Sequence, residues 1–270
     1  MNTLEKQMVG ILKQLKKDFN VVAIKAEFEA EGTRLDEAIR LKVIVDNTGL
    51  GLILKTGGAE AIRDMFDAQL LGVTGLMAPM IESSYALRKY LEAIETYFPA
   101  ELKKEISFGI NIETIQAYNN LKEIFATKGI KKLSTITVGR VDFVGSLGMG
   151  RDEVNNDRIY QIAEDICRRA KKLGLRTTLG GGIAVEALPF IKKLVADRLL
   201  NRYETRKIVF AVPKSFQKAG EGIILANEFE LLWLKNKKNY YATIYTEDDK
   251  RIEMLNKRLK AKKFGKPFKH

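Results

Sequence analysis

A single histidine, and that one the last residue, His270, is the most consequential scarcity in this 270-residue chain. A Ser-His-Asp triad, a Cys-His dyad and a histidine-rich zinc site each need an imidazole in the folded body. Those chemistries are excluded. One cysteine, Cys167, excludes a disulfide framework and a multi-cysteine metal site, and it suits a reducing compartment. Apolar runs are short: stretches such as Gly49 to Leu54 have strand length, against the ~20 residues of a spanning helix. The stretch Met1 to Asn20 is charged and amphipathic, with no apolar run of the kind that opens an export signal. The expected location is the cytoplasm, with no membrane partner. Catalysis in such a chain must run on carboxylates, lysines, arginines, hydroxyls, backbone amides and an oxygen-ligated metal.

The chain carries 46 Lys and Arg against 34 Asp and Glu, a net charge of +12, with 46% hydrophobic residues. Seven of the basic residues lie in the last fourteen positions, KRLKAKKFGKPFKH, which contain no acid and read as a solvated tail, residues 257–270. No zinc finger, RNA-binding aromatic motif or helix-turn-helix accompanies them, so a nucleic-acid partner is not expected. The remaining positive excess helps attract a small anionic substrate without identifying one.

Apolar strand-length runs alternate with longer amphipathic stretches. The runs are Val21 to Glu29, Gly49 to Gly58, Gly75 to Ser83, Ile106 to Glu113, Leu133 to Phe143 and Leu175 to Gly182. Helical patterns of about 10–15 residues separate them, which means βαβ units and a parallel sheet. Six such units in the first two-thirds of the chain favour an α/β fold of the (β/α)8 TIM-barrel type. Ala196 to Leu200 and Arg206 to Val212 are the expected seventh and eighth strands, with almost no helix between them. Two helices, near 220–240 and 248–260, are expected outside the barrel, packed on a neighbouring subunit. This divides the chain into a barrel at 1–215, C-terminal helices at 216–256 and the tail.

In such barrels the active site sits at the C-terminal strand ends. Here those ends collect Lys25, Glu27 and Glu29; Lys55; Glu82; Asn111 and Glu113; Arg140 and Asp142; and the run Gly180 to Gly182. Glu113 and Asp142 close strands adjacent in order, and neighbouring strands lie ~4.8 Å apart. The two carboxylates can therefore share Mg2+ or Mn2+, with waters and substrate completing the shell, or form a salt-bridged group with Arg140 or Lys55. The glycine run can cradle a phosphate or serve tight packing. Asn155 and Asn156 read as helix caps, and Cys167 as a small core residue.

The segment GINIET, followed by GRVDFVGSLG about thirty residues later, resembles the HpcH/HpaI aldolase and citrate lyase β-subunit superfamily, as does APMIES at 78–83. The resemblance spans roughly 21–150. It implies a divalent-metal-dependent carbon-carbon lyase or aldolase of the pyruvate-binding kind, acting on a 2-oxo acid or a CoA thioester through a metal-stabilised enolate. It implies Glu113 and Asp142 as metal ligands, with Gly139, Arg140 and Val141 at the substrate carboxylate and Lys55 and Glu82 at the substrate. A homo-oligomer, trimer or hexamer, is also implied.

Two departures stand out. The family's arginine at the end of strand two reads Lys55 here, which keeps the charge but loses the planar fork. The aldolase branch's histidine base is missing, which leaves Glu27, Glu29 or a metal-bound water for that role. A Lys25–Glu27 salt bridge is the plainer reading of that pair. The lyase branch that uses CoA manages without the histidine, but no CoA-binding feature is visible. A Schiff base on Lys25 or Lys55 is a further route, made less favourable by the carboxylate pair. The alternative to turnover is a non-catalytic or altered-chemistry barrel that binds a phosphorylated or carboxylate ligand.

Overall fold

The computed structural model describes residues 1–213 and 216–264, with no account of the side chains of 247 and 258–264. The elements are α1 (Thr3–Asp18), β1 (Val21–Glu27), α2 (Leu35–Asp46), β2 (Gly51–Lys55), α3 (Ile62–Leu70), β3 (Gly75–Ala78), α4 (Ser84–Tyr97), α5 (Ala100–Glu105) and β4 (Ser107–Ile112). There follow α6 (Ile115–Asn119), α7 (Leu121–Phe125), β5 (Thr135–Gly139), α8 (Arg140–Ser146), α9 (Asp157–Lys172), β6 (Arg176–Gly180), α10 (Leu188–Ala196), β7 (Arg202–Glu204), β8 (Ile208–Ala211) and α11 (Ala219–Phe264).

The eight strands close into one barrel in chain order. Side chains alternate along each strand. Ile24, Ala26, Leu52, Leu54, Leu76, Phe108, Ile110, Ile136, Val138 and Leu179 are buried and form the layer between sheet and helices. The other phase faces the axis. Barrel interiors are usually filled by bulky branched residues. This one holds Lys25, Gly75, Gly109, Thr135, Thr137, Thr178 and Glu204, with the Thr135 and Thr178 hydroxyls 3.4 Å apart and Arg176 donating to Ser107 at 3.1 Å. Gly109 makes room for its neighbours: a Cβ there would stand 2.5 Å from Thr135 and 2.6 Å from Met77.

The expected barrel is present, with a reversal at its closing strand. β1 to β7 run parallel, but β8 runs antiparallel to both β7 and β1. The expected seventh strand at 196–200 is the end of α10 and a turn, and β7 begins at Arg202. Only Thr205, Arg206 and Lys207 separate β7 from β8. A parallel crossover needs a dozen residues or more, whereas a link this short makes a hairpin.

The reversal redirects everything that follows. β8 ends at the bottom of the barrel, where Ala211 N–H donates to Asn20 O just before β1. The chain then climbs back toward the mouth as α11, antiparallel to α1. Gly222 packs on Phe19 at the lower end, while Asn236 bonds Asn2 and Glu5 at the upper end. Ile223, Ala226, Phe229 and Trp233 are buried at three- and four-residue spacing and fix the rotation of this helix. The two helices expected at 220–240 and 248–260 are one continuous helix. Six residues of the basic tail, 265–270, lie outside the described residues.

Candidate active site

A cavity of about 290 Å³ opens at the C-terminal ends of the parallel strands. A larger one, about 770 Å³, lies at the opposite end beside Phe19, Tyr203 and Pro213. The chemistry is at the smaller. Its walls carry six carboxylates, Glu27, Glu29, Glu113, Asp142, Glu204 and Glu230, against Lys25, Lys55, Arg151 and Arg206.

Two buried lysines hold most of the acids. Lys25 Nζ stands 2.9 Å from Glu27 and 2.7 Å from Glu204. Burial alone would push its ammonium down; the two carboxylates outweigh it and push it up. Glu27 answers in kind: burial opposes its charge, and Lys25 with Lys55 and Arg206 brings its carboxyl below the ordinary range. Lys55 Nζ stands 2.7 Å from Glu29, an ion pair off the hydrogen-bond axis, and 3.5 Å from Glu113. Burial pulls Lys55 down, but Glu113, Glu29 and Glu27 raise it overall. Held between carboxylates that favour the ammonium form, both lysines are poorly placed to act as Schiff-base nucleophiles.

Glu113 lies one residue past β4 and is 1% exposed. Its Oε1 accepts from the Met80 amide at 3.0 Å, and its Oε2 from Asn111 at 2.9 Å. Met80 holds that amide in place from a left-handed backbone conformation, φ +49°. Burial pushes the Glu113 carboxyl up, Asp142 adds to the rise, and Lys55, Asn111 and Met80 oppose it. The backbone of Gly139 passes so close that a Cβ there would stand 2.4 Å from Glu113 Oε2. Asp142 is placed by a different element than expected: β5 stops at Gly139 and Asp142 sits in the first turn of α8. It lines the cavity with no hydrogen bond or ion pair to any described residue.

Of the other expected site residues, Glu29 lies past the end of β1, and Gly139 and Val141 line the cavity. Two side chains do not reach it. Glu82 accepts from the Thr114 hydroxyl at 2.6 Å and serves the turn into α6. Arg140 is fully buried behind the glycine run, which leaves the expected role at the substrate carboxylate to its backbone amide. Its guanidinium donates to Gly180 O, Gly181 O, Gly182 O, Val154 O and Asn155 Oδ1, and lies 4.7 Å from the centre of the Phe190 ring. No acid faces it, and burial lowers it to about 10. Arg140 thus staples the loop in which Gly181 and Gly182 take positive φ of +74° and +64°. Asn155 is its acceptor, not a cap; Asn156 does cap α9. Cys167 is buried as expected, its thiol pushed up to about 12 by burial.

Five charged or amide side chains of the cavity had no signal in the strand-end pattern: Arg151, Glu204, Arg206, Asn227 and Glu230. The last two come from α11, whose approach depends on the reversed β8. Arg151, after α8, has no ion pair among the described residues.

A closed eight-stranded α/β barrel with an ionic mouth is the class these observations define. The model of the HpcH/HpaI aldolase/citrate lyase family matches residues 54–179, from β2 through β6, and the chain resembles that family over this stretch. That segment contains Lys55, Glu113, Gly139 and Asp142. Among solved structures, the HpcH/HpaI aldolase from Desulfitobacterium hafniense DCB-2 is 15% identical over 76% of this chain and 82% of its own, with a TM-score of 0.59. The citrate synthase SbnG is 15% identical over 86% and 90%, also at 0.59. An HpcH/HpaI aldolase/citrate lyase family protein from Burkholderia cenocepacia J2315 is 13% identical over 76% and 93%, at 0.55. These similarities concern the fold. No curated protein matches the chain.

Proposed function

We propose that this chain is a divalent-metal-dependent carbon-carbon lyase or aldolase acting on a 2-oxo acid. The observation that carries the reading is the pair Glu113 and Asp142 on one wall of the cavity. One is buried with its carboxyl pushed up, and the other has no cation partner. Glu113 has only Lys55, shared with Glu29, as counter-charge, and the half-buried Asp142 has none among the described residues; an all-oxygen pair suits Mg2+ or Mn2+. Glu113 has capacity for it, because each oxygen accepts bonds on one side and keeps a further lone pair. Among the described residues no group of three or more His, Cys, Asp or Glu side chains is placed to hold an ion. The rest of the shell would come from water and substrate. A metal there would supply Lewis acidity toward the substrate's oxo group.

The protein's own groups do the remaining work. The amides around Gly139 to Val141 bind the carboxylate next to the oxo group. The protonated Lys55 holds Glu113 and faces the oxo oxygen as the family's arginine would, with one point charge in place of a fork. Arg151, the cavity cation with no ion pair among the described residues, would meet a second carboxylate. The small cavity favours a short dicarboxylate such as oxaloacetate over a CoA thioester.

Exchange of pyruvate C3 protons with D2O, followed by proton NMR, tests this. We expect exchange with Mg2+ or Mn2+, none in EDTA, and a loss of at least ~100-fold in Glu113→Gln and Asp142→Asn. Exchange unchanged by EDTA would contradict the metal role.

We also propose a homo-oligomer. Beyond residue 241, α11 extends away from the barrel, yet it carries Tyr245, Ile252 and Leu255, all exposed, along one stripe with Tyr241. Apolar stripes of this kind are sites of helix pairing. No described helix is long and apolar enough to cross a membrane, and a reducing compartment remains the proposal for its location.

A further inference from the structure

The missing histidine leaves the proton-transfer role open, and the cavity's ion pairs narrow it. Glu27 and Glu204 are held by Lys25, and Glu29 and Glu113 by Lys55. A carboxylate clamped by an ammonium and drawn below its ordinary range is a poor proton acceptor near neutrality. That disposes of Glu27, and Glu29 is occupied by Lys55 at 2.7 Å. Two of the six acids have no hydrogen bond or ion pair among the described residues: Asp142, assigned above to the metal, and Glu230.

Glu230 enters from a different element. It sits on α11, one turn after Asn227 and one turn before Trp233, and both Glu230 and Asn227 line the cavity. Its direction is fixed. Ile223, Ala226, Phe229 and Trp233 are each 2% exposed or less, so the helix cannot rotate to withdraw it. The charged groups around it are Arg206 and Lys207 from the β7–β8 link, and Glu27 and Glu31 from β1 and the segment after it. Lys207 is occupied: it pairs with Glu31 and lies 5.8 Å from the centre of the Trp233 ring. Arg206 is 3.4 Å from Glu27. Glu230 is therefore near cations that are already partnered.

We propose that Glu230, carried across the barrel mouth by α11, is the proton-transferring group of this site. The inference rests on the 2-oxo acid reading and deepens it. In the forward step the C3–H bond of the bound 2-oxo acid breaks and its proton passes to the Glu230 carboxylate. The electron pair left behind becomes the C2–C3 double bond, and the carbonyl pair moves to the oxo oxygen. Return of a solvent-derived proton from Glu230 to C3 completes exchange. Burial, the largest influence, pushes the Glu230 carboxyl up against the pull of Arg206 and Lys207. Its acceptor strength is thereby closer to what the step needs.

The test compares the full chain with Glu230→Gln and Glu230→Asp in the pyruvate exchange experiment with Mn2+, across pH. We expect Glu230→Gln to lose ~100-fold or more, with Glu230→Asp restoring part of it. The acid limb of the wild-type profile should lie above the ordinary glutamate range and vanish in Glu230→Gln. Urea melts should show no loss of stability, because removing a half-buried charge does not weaken the fold. A Glu230 carboxyl carbon that titrates in NMR at or below the ordinary value would overturn the proposal whatever the activity. Undiminished exchange in Glu230→Gln would overturn it while leaving the 2-oxo acid reading intact. Absence of exchange in the unmodified chain would overturn both.

Discussion

Lys25 and Lys55 each bind two carboxylates inside the barrel, and their removal has a definite cost. In Lys25→Met, Glu204 would stay buried without a cation, and Glu27 would keep only Arg206 at 3.4 Å. Breaking a buried pair in this way costs ~3–5 kcal/mol, and denaturant unfolding should register it. The network also sets a pH window. Glu27's lowered carboxyl contributes stability above the ordinary carboxylate range, and this is lost as pH falls through its lowered value. Lys25's raised ammonium contributes stability below the ordinary lysine range, lost as pH rises through its raised value. The full contribution is therefore expected between roughly pH 5 and pH 10, and Lys25→Met should flatten the stability profile at both edges. Gly139 gives a sharper test. A methyl group at that position meets Glu113 Oε2 at 2.4 Å and its Cβ at 2.7 Å. Gly139→Ala should displace Glu113 and abolish metal-dependent exchange while the far-UV circular dichroism stays that of the barrel.

At the scale of elements, the strands that carry the site were the most legible. Alternating apolar positions fixed β1, β2, β4, β5 and β6 to within a few residues, and with them Lys25, Glu27, Lys55 and Glu113. Asp142 is legible from the end of the fifth apolar run, though its element is not: GRVDF reads as a strand by composition, but β5 stops at Gly139 and a helix starts there. The expected seventh strand at Ala196 to Leu200 is the last residue of α10 and a turn, in which Leu199 and Leu200 are buried as strand residues would be but Arg198 takes a positive φ of +57°. The reversal of β8 was present in the sequence as a link too short for a crossover. What could not be read was its consequence, that α11 would return to the mouth and deliver Asn227 and Glu230. Hydrophobic spacing showed a helix near 220–240, but nothing local shows which end of a barrel a helix approaches. The same helix beyond residue 241 carries the proposed contact between subunits. Ile252→Glu with Leu255→Glu should lower the oligomer mass in light scattering and leave the barrel's melting unchanged; an unaltered mass would exclude this stripe as the interface.

At the scale of the whole molecule, the charge separates into two parts. More than half of the net +12 belongs to residues 257–270, while the cavity sets six acids against four bases. The barrel mouth is thus not a general anion trap. On the proposed function, it would become attractive to a small carboxylate once a divalent cation offsets its acids. Metal and substrate binding would then be mutually reinforcing, each tightening the other by the same factor. The most direct measurement is an electron paramagnetic resonance titration of Mn2+ into the full chain, with and without pyruvate. We expect one Mn2+ site, tightened by pyruvate and lost in Asp142→Asn. Mn2+ binding that is absent, or that persists unchanged in Asp142→Asn, would contradict the assignment of Glu113 and Asp142 as a metal-holding pair.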